Sequence, residues 1–294
     1  MKILITGASG MLGTALIAAF EGEHACTGFS RARPAQAAID WRAGDMSVPG
    51  ELASVLVEVR PDLVVNAAAI TNVDACEHNP ELAQRVNCDV LGEIVDYCQS
   101  SGSRLVHIST DSVFDGQKDT PYTENDPVAP LNAYARTKLA AESLALQLPD
   151  AIVLRTNIFG WRPPSGDVSF GEWVLYALRD GTPLTMFHDV MYSPIATPLL
   201  AGVVAQCVNA GLSGLYHAGG GENLSKYQFA LKVAEAYGLP TDKVIRISVA
   251  DKPLAALRPR NMALDSSKLA DALGIGSLPG VAASIDAWKV TEPK

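Results

Sequence analysis

A short apolar run, Lys2-Ile3-Leu4-Ile5-Thr6, passes directly into Gly7-Ala8-Ser9-Gly10-Met11-Leu12-Gly13 and then into the apolar stretch Thr14 to Phe20. The first segment reads as a buried strand and the last as a helix. Glycines permit a tight turn and close backbone approach, and a helix amino terminus presents unpaired N–H groups. A dinucleotide diphosphate needs both. Gly7, Gly10, Met11, Leu12 and Gly13 are therefore candidate cofactor contacts, set against the plainer reading of a structural turn.

The pattern continues as a parallel sheet requires. Leu63 to Ala69 reads as a buried strand ending in small residues, Pro80 to Ser100 as a helix, and Arg104 to Ser109 as the next strand. Lys138 begins an apolar-faced stretch through Leu148, and Ala151 to Arg155 supplies another strand. The expected fold is α/β, a Rossmann-like doubly wound parallel sheet with a smaller carboxy-terminal substrate lobe. We expect residues 1–155 to form the dinucleotide-binding core. Residues 156–294, richer in Pro and Gly and less regular, are expected to form mainly the substrate lobe, with some segments returning to the core. Ligands collect at the carboxyl ends of parallel strands, so the glycine turn, the segment Asn66 to Ala69 and Thr110 should share one crevice.

That crevice has candidate chemistry. Tyr134 and Lys138 stand four residues apart, on one face of a helix. A phenol is a poor acid at neutral pH, and a neighbouring ammonium should lower its pKa by favouring the phenolate. Tyr134 could then exchange a proton with a substrate oxygen while the Thr110 hydroxyl hydrogen-bonds that oxygen. Alone, a Tyr-x-x-x-Lys spacing is common on exposed helices; its place downstream of Ser109-Thr110-Asp111 gives it weight.

Charge and composition exclude other classes. A net charge of -9 argues against nonspecific binding to nucleic acid or anionic membrane. No apolar stretch approaches the roughly 20 residues of a membrane span, and no signal peptide is expected before the first strand. The five cysteines are scattered without a C-x-x-C pair, which favours reduced thiols in a cytoplasmic protein. The five histidines show no ligand spacing either, so no metal site is expected.

Collinear segments along nearly the whole chain carry a resemblance. They are Gly7 to Gly13; Arg60-Pro61-Asp62 with Asn66 to Asp74; Val106 to Asp111 with Val113-Phe114-Asp115-Gly116; Pro121 to Glu124; Pro130-Leu131-Asn132 with Tyr134 and Lys138; Gly214 to His217; and Arg258-Pro259-Arg260-Asn261. On these the chain resembles the extended short-chain dehydrogenases/reductases, and among them the dTDP-4-dehydrorhamnose reductase family. The resemblance implies hydride transfer from a reduced nicotinamide to the C4 keto group of a nucleotide-activated deoxysugar. It implies that Tyr134 protonates the alkoxide, that Lys138 lowers the tyrosine pKa and holds the cofactor ribose, that Thr110 orients the carbonyl and that Asp111 touches substrate. It also places Asp45 and Met46 beside the adenine, and Ala69, Ile70 and Thr71 along the cofactor.

The departures fall on the substrate side. Ser112 stands where the family usually has Tyr, Ile158 where it has a substrate-contacting Trp, and Asp189-Val190-Met191-Tyr192-Ser193-Pro194-Ile195 replaces Asp-Gln-x-Gly-x-Pro-Thr. Trp161 is read as partly buried packing, with a displaced aromatic platform as the alternative.

The preferred cofactor is expected to be NADPH, with NADH possible. After the second strand, near His24 to Gly28, an NAD enzyme usually places an acidic residue for the ribose hydroxyls. Here the chain offers Phe29-Ser30-Arg31-Ala32-Arg33; the Ser30 hydroxyl and the Arg31 guanidinium suit a 2′-phosphate, with Arg33 weaker. Arg260, in a compact basic element of a weakly charged region, is the candidate for the substrate diphosphate, with Arg258 sharing or replacing it. Expected partners are a nucleotide-sugar substrate, with a homodimer left open. Two other readings stay open: a non-catalytic regulatory subunit of the methionine adenosyltransferase β type, and a related nucleotide-sugar epimerase. A dehydratase is disfavoured, because Ser112 rather than an acid follows Asp111.

Overall fold

The first strand is apolar on both faces because both faces are covered. In the computed structural model, which describes residues 1–33, 39–163, 168–251 and 259–293, β1 (Lys2–Thr6) lies inside a seven-stranded sheet. Ile3 and Ile5 pack with Leu12, Leu16 and Phe20 of the helix Met11–Phe20 and with Leu200 and Val204 of the helix Thr197–Asn209. Leu4 goes to the other face, with Leu52, Leu56, Ile94 and Ala141. Strands buried on both faces read as continuous apolar runs rather than alternating ones.

The remaining strands are β2 (Ala25–Ser30), β3 (Asp40–Ala43), β4 (Leu63–Asn66), β5 (Arg104–Thr110), β6 (Ile152–Thr156) and β7 (Gly214–His217). Their order is β7-β6-β5-β4-β1-β2-β3, and every pairing is parallel. The expected doubly wound α/β sheet is present. The order reverses at β1, between β2 and β4, which opens a crevice at the carboxyl ends there. Gly214–His217 closes the far edge of this sheet by pairing with β6, so the chain returns to the first half after leaving it.

A separate apolar cluster binds the helices Phe170–Arg179, Lys226–Tyr237 and Val281–Val290. Ser169 with Glu172, and Ser225 with Gln228, form capping boxes that start the first two. Beside them a small sheet has Met191–Tyr192 at its centre, flanked by Leu224–Ser225 and Asn261–Met262.

One buried ion pair ties the helix Ala133–Ala145 to the sheet. Arg155 on β6 and Glu142 on the helix Ala133–Ala145 meet at 2.7 Å with side chains 4% and 3% exposed. The Ser109 hydroxyl on β5 donates to the same carboxylate at 2.5 Å. The five cysteines are all free and buried. Among the described residues no helix is long and apolar enough to cross a membrane.

Candidate active site

The glycine turn packs tightly against neighbouring backbone. Gly7 has φ +66°, and a Cβ there would stand 2.9 Å from Ala68 Cα. A Cβ on Gly13 would fall 2.1 Å from the Gly7 carbonyl oxygen, so only glycine allows the helix to pack this close to β1. Gly10 caps the helix Met11–Phe20 without any side-chain acceptor, which leaves the first-turn amides, including those of Met11 and Leu12, open to an anion. These residues fit a dinucleotide diphosphate.

At the carboxyl end of β2 the two expected phosphate contacts part company. The Ser30 hydroxyl is already engaged: it donates to the Ala32 carbonyl at 2.7 Å and accepts from Trp41 Nε1 at 3.2 Å. Its place is to hold the turn. Arg31 is exposed, and its charge acts on Asp45, whose carboxyl is held below the usual range chiefly by its hydrogen bonds with Ser47. Met46 is buried among Phe29, Leu52 and Leu56. Trp41 was not legible as a partner because nothing local signals a contact eleven residues back.

Beyond β4, the loop Ala69-Ile70-Thr71 is fixed by Asn87, which accepts from Ile70 N–H at 2.8 Å and donates to Ile70 C=O at 3.2 Å. Asn87 also donates to the Thr137 hydroxyl at 3.2 Å. It lies in a π-helical turn, Arg85–Asp89, between the helical segments Pro80–Gln84 and Val90–Ser101, where sequence reading expects one plain helix. Such widened turns recur at functional sites, and here the widening carries a buried amide between the loop at Ile70 and the helix that bears Thr137.

Asn132 caps the helix Ala133–Ala145 by accepting from Ala135 N–H at 2.9 Å, and that helix presents Tyr134 and Lys138 together. Thr110, the last residue of β5, has its hydroxyl near enough to the Tyr134 phenol to act on it. Thr110 and Tyr134 therefore come together, whereas the Lys138 ammonium lies one turn on and bonds elsewhere. Their electrostatics differ from expectation. Burial pushes the Tyr134 phenol up to about 12; the nearby Thr110 hydroxyl opposes this, and Asp111 and Cys76 add to it. Lys138 does not lower it, because its ammonium is turned away. Nζ donates to the Ile108 carbonyl at 2.6 Å and lies 3.3 Å from His107 Nε2. Burial brings Lys138 down to about 8. His107, fully buried, is kept neutral by burial and then by the Lys138 charge. Its Nδ1 is 3.1 Å from the Asn66 amide, which accepts from the Thr6 hydroxyl at 2.6 Å. A buried polar chain thus runs from the foot of the glycine turn to Lys138.

Asp111 is 1% exposed and well bonded: Oδ2 accepts from Asn157 at 2.5 Å, and Oδ1 from Thr110 and Ser112 at 3.2 and 3.3 Å. Burial raises its carboxyl to about 6 despite those bonds and the nearby Lys226 charge. The Val-Phe-Asp-Gly and Arg-Pro-x-Asn segments touch. A Cβ on Gly116 would stand 2.5 Å from Pro259, and Asn261 donates to the carbonyls of Lys118 and Thr120 at 2.6 and 3.1 Å. Arg260 is exposed beside them, and Arg258 lies outside the described residues. Trp161 donates to the Trp288 carbonyl at 2.8 Å and stacks on the Trp288 ring at 4.6 Å, so it is packing. Among the described residues, no group of three or more His, Cys, Asp or Glu side chains could hold a metal ion.

A family profile described as "RmlD substrate binding domain" matches residues 1–283. The probable low-salt glycan biosynthesis reductase Agl14 of Haloferax volcanii is 32% identical over 93% of this chain and 93% of its own length. Methionine adenosyltransferase 2 subunit beta of Pongo abelii is 32% identical over 94% of this chain and 83% of its own. Among solved structures, a hypothetical dTDP-4-dehydrorhamnose reductase from Sulfolobus tokodaii is 32% identical, with a TM-score of 0.83 over 95% of this chain and 97% of that one.

Proposed function

Because the chain belongs to the RmlD substrate binding domain family, we propose that it uses NADPH to reduce the C4 keto group of a nucleotide-activated deoxysugar. The observation that carries this reading is that the Thr110 hydroxyl comes near enough to act on the Tyr134 phenol, with Lys138 one turn along the same helix. A ketone accepts hydride readily only as the charge on its oxygen is quenched. Tyr134 gives that oxygen its proton and the Thr110 hydroxyl orients it. Lys138, one turn along the same helix, holds the cofactor ribose. A reduced nicotinamide would supply the hydride when bound. Incubation with NADPH and a nucleotide-diphospho 4-keto sugar should yield the 4-hydroxy sugar. Failure with a broad panel would overturn the reading.

NADPH is preferred in this reading because Arg31 stands exposed at the end of β2 and no acidic residue follows that strand directly. With Ser30 committed to Trp41 and Ala32, the guanidinium is the main 2′-phosphate contact. Arg31→Ala should weaken NADPH about tenfold or more, the usual worth of a charged hydrogen bond, and leave NADH nearly unchanged. Equal losses for both cofactors, by fluorescence titration, would remove the phosphate contact.

The substrate diphosphate is assigned to Arg260. Its guanidinium is exposed and can take two phosphate oxygens at once. Arg260→Ala should raise KM for the nucleotide sugar and leave NADPH affinity alone. An unchanged KM here, with a large rise in Arg258→Ala, would move the role to Arg258.

A second reading draws on the similarity to methionine adenosyltransferase 2 subunit beta, which spans 94% of the chain. In it the protein is a regulatory subunit that retains a nucleotide site. Stable co-purification with a methionine adenosyltransferase, together with no keto-sugar turnover, would favour it.

A further inference from the structure

On the small-lobe side of Asp111 stands a cation that the proposed reaction does not use. Lys226 is the first residue of the helix Lys226–Tyr237, where the positive end of the helix dipole disfavours it. Its Nζ lies 3.3 Å over the Tyr192 ring and 4.4 Å over the Phe170 ring. Among the described residues it makes no ion pair or hydrogen bond through Nζ, and the Asp111 carboxylate is the one charge acting on it. Burial lowers this ammonium to about 7. Tyr192 is 2% exposed, and its hydroxyl has no hydrogen-bond partner although it feels the Asp111 charge. Asp111 itself already accepts from Asn157, Thr110 and Ser112.

Donors are therefore in surplus. A half-buried ammonium and a buried phenol both feel the Asp111 charge, and among the described residues neither has a hydrogen-bond acceptor; a buried donor left unpaired, as the phenol is, is costly. Aromatic faces compensate the ammonium only in part. The group that completes such a site is rich in acceptors and negatively charged. The backbone places a further cation close by: the central strand Met191–Tyr192 is flanked by Ser225, which precedes Lys226, and by Asn261, which follows Arg260.

We propose that Lys226 and Tyr192 form an oxyanion-binding subsite for the substrate, which takes an anionic oxygen group from its diphosphate or from a carboxylate on its sugar. This rests on the nucleotide-sugar reading of the crevice. It also gives the departure at Tyr192 a purpose, since a glycine there would supply neither the ring under the ammonium nor the hydroxyl.

The test is calorimetric titration of inorganic pyrophosphate, and separately of glucuronate, into protein saturated with NADPH so that the glycine turn is filled. Wild type should bind pyrophosphate. Lys226→Met should lose about tenfold or more of that affinity, Tyr192→Phe a smaller part, and Lys226→Arg should restore most of it. Loss of glucuronate binding in Lys226→Met, with pyrophosphate unaffected, would assign the anion to the sugar. Equal affinities in wild type and Lys226→Met, or no binding of either anion by wild type, would overturn the subsite. Because these readouts need no turnover, a failure of keto-sugar reduction is seen separately from a failure here.

Discussion

Tyr134→Phe should turn over about 10²–10⁴-fold more slowly than wild type, the usual worth of a positioned general acid. NADPH affinity should barely change. The substitution keeps the ring that packs against Cys76, Ala83 and Ala133 and removes only the hydroxyl. With the phenol at about 12, the side chain holds its proton at neutral pH, as an acid must before the substrate oxygen develops charge. Proton transfer is then driven by the substrate oxygen, which as an alkoxide is more basic than the phenolate, while Lys138 stands one helical turn away. At about 8 its ammonium is still mostly charged at neutral pH, and among the described residues it is bound to the Ile108 carbonyl and His107. Near-normal turnover in Tyr134→Phe would sink the reductase assignment.

Arg155→Met should cost about 3–5 kcal/mol of folding stability, because removing one partner of a buried pair strands the other charge. Glu142 is 2% exposed and takes three bonds from the guanidinium, at 2.7, 2.9 and 3.2 Å. Met keeps an unbranched apolar stem in place of a side chain whose guanidinium carbon lies 5.1 Å from the Phe114 ring. What it cannot do is neutralise the carboxylate. The double variant Arg155→Met/Glu142→Leu should recover much of the loss, since buried ion pairs are often replaceable by packing. Urea denaturation measures both. A single-variant loss below about 1 kcal/mol would mean that water reaches Glu142. The consequence for chemistry is direct, as Glu142 lies on the helix that carries Tyr134 and Lys138.

Much of the fold was legible because its signals are local. A continuous apolar run into Gly7-Ala8-Ser9-Gly10 announces a buried strand and a helix amino terminus within a dozen residues, and both are found. The four-residue spacing of Tyr134 and Lys138 depends only on helical geometry. What escaped depends on neighbours distant in sequence. The direction of the Tyr134 pKa reversed because burial outweighs a lysine that bonds elsewhere, to residues of β5 some thirty positions earlier. Ser30 offers a hydroxyl on paper, but Trp41 across the β2–β3 pair takes it. Gly214–His217 carries no sign that it completes a sheet begun at Lys2, since the partner that fixes it is β6. Lys226 and Tyr192 belong to segments far apart in sequence that are brought together by the antiparallel pairing of Leu224 and Ser225 with Tyr192 and Met191.

The most direct test of the central claim is transfer of deuterium from NADPH labelled at the nicotinamide C4 to a panel of nucleotide-diphospho 4-keto sugars, followed by mass spectrometry and NMR. The account predicts that at least one sugar gains one deuterium on the carbon that bore the carbonyl, and that Tyr134→Phe abolishes most of this gain. Tight NADPH binding without deuterium transfer to any member of the panel would contradict it.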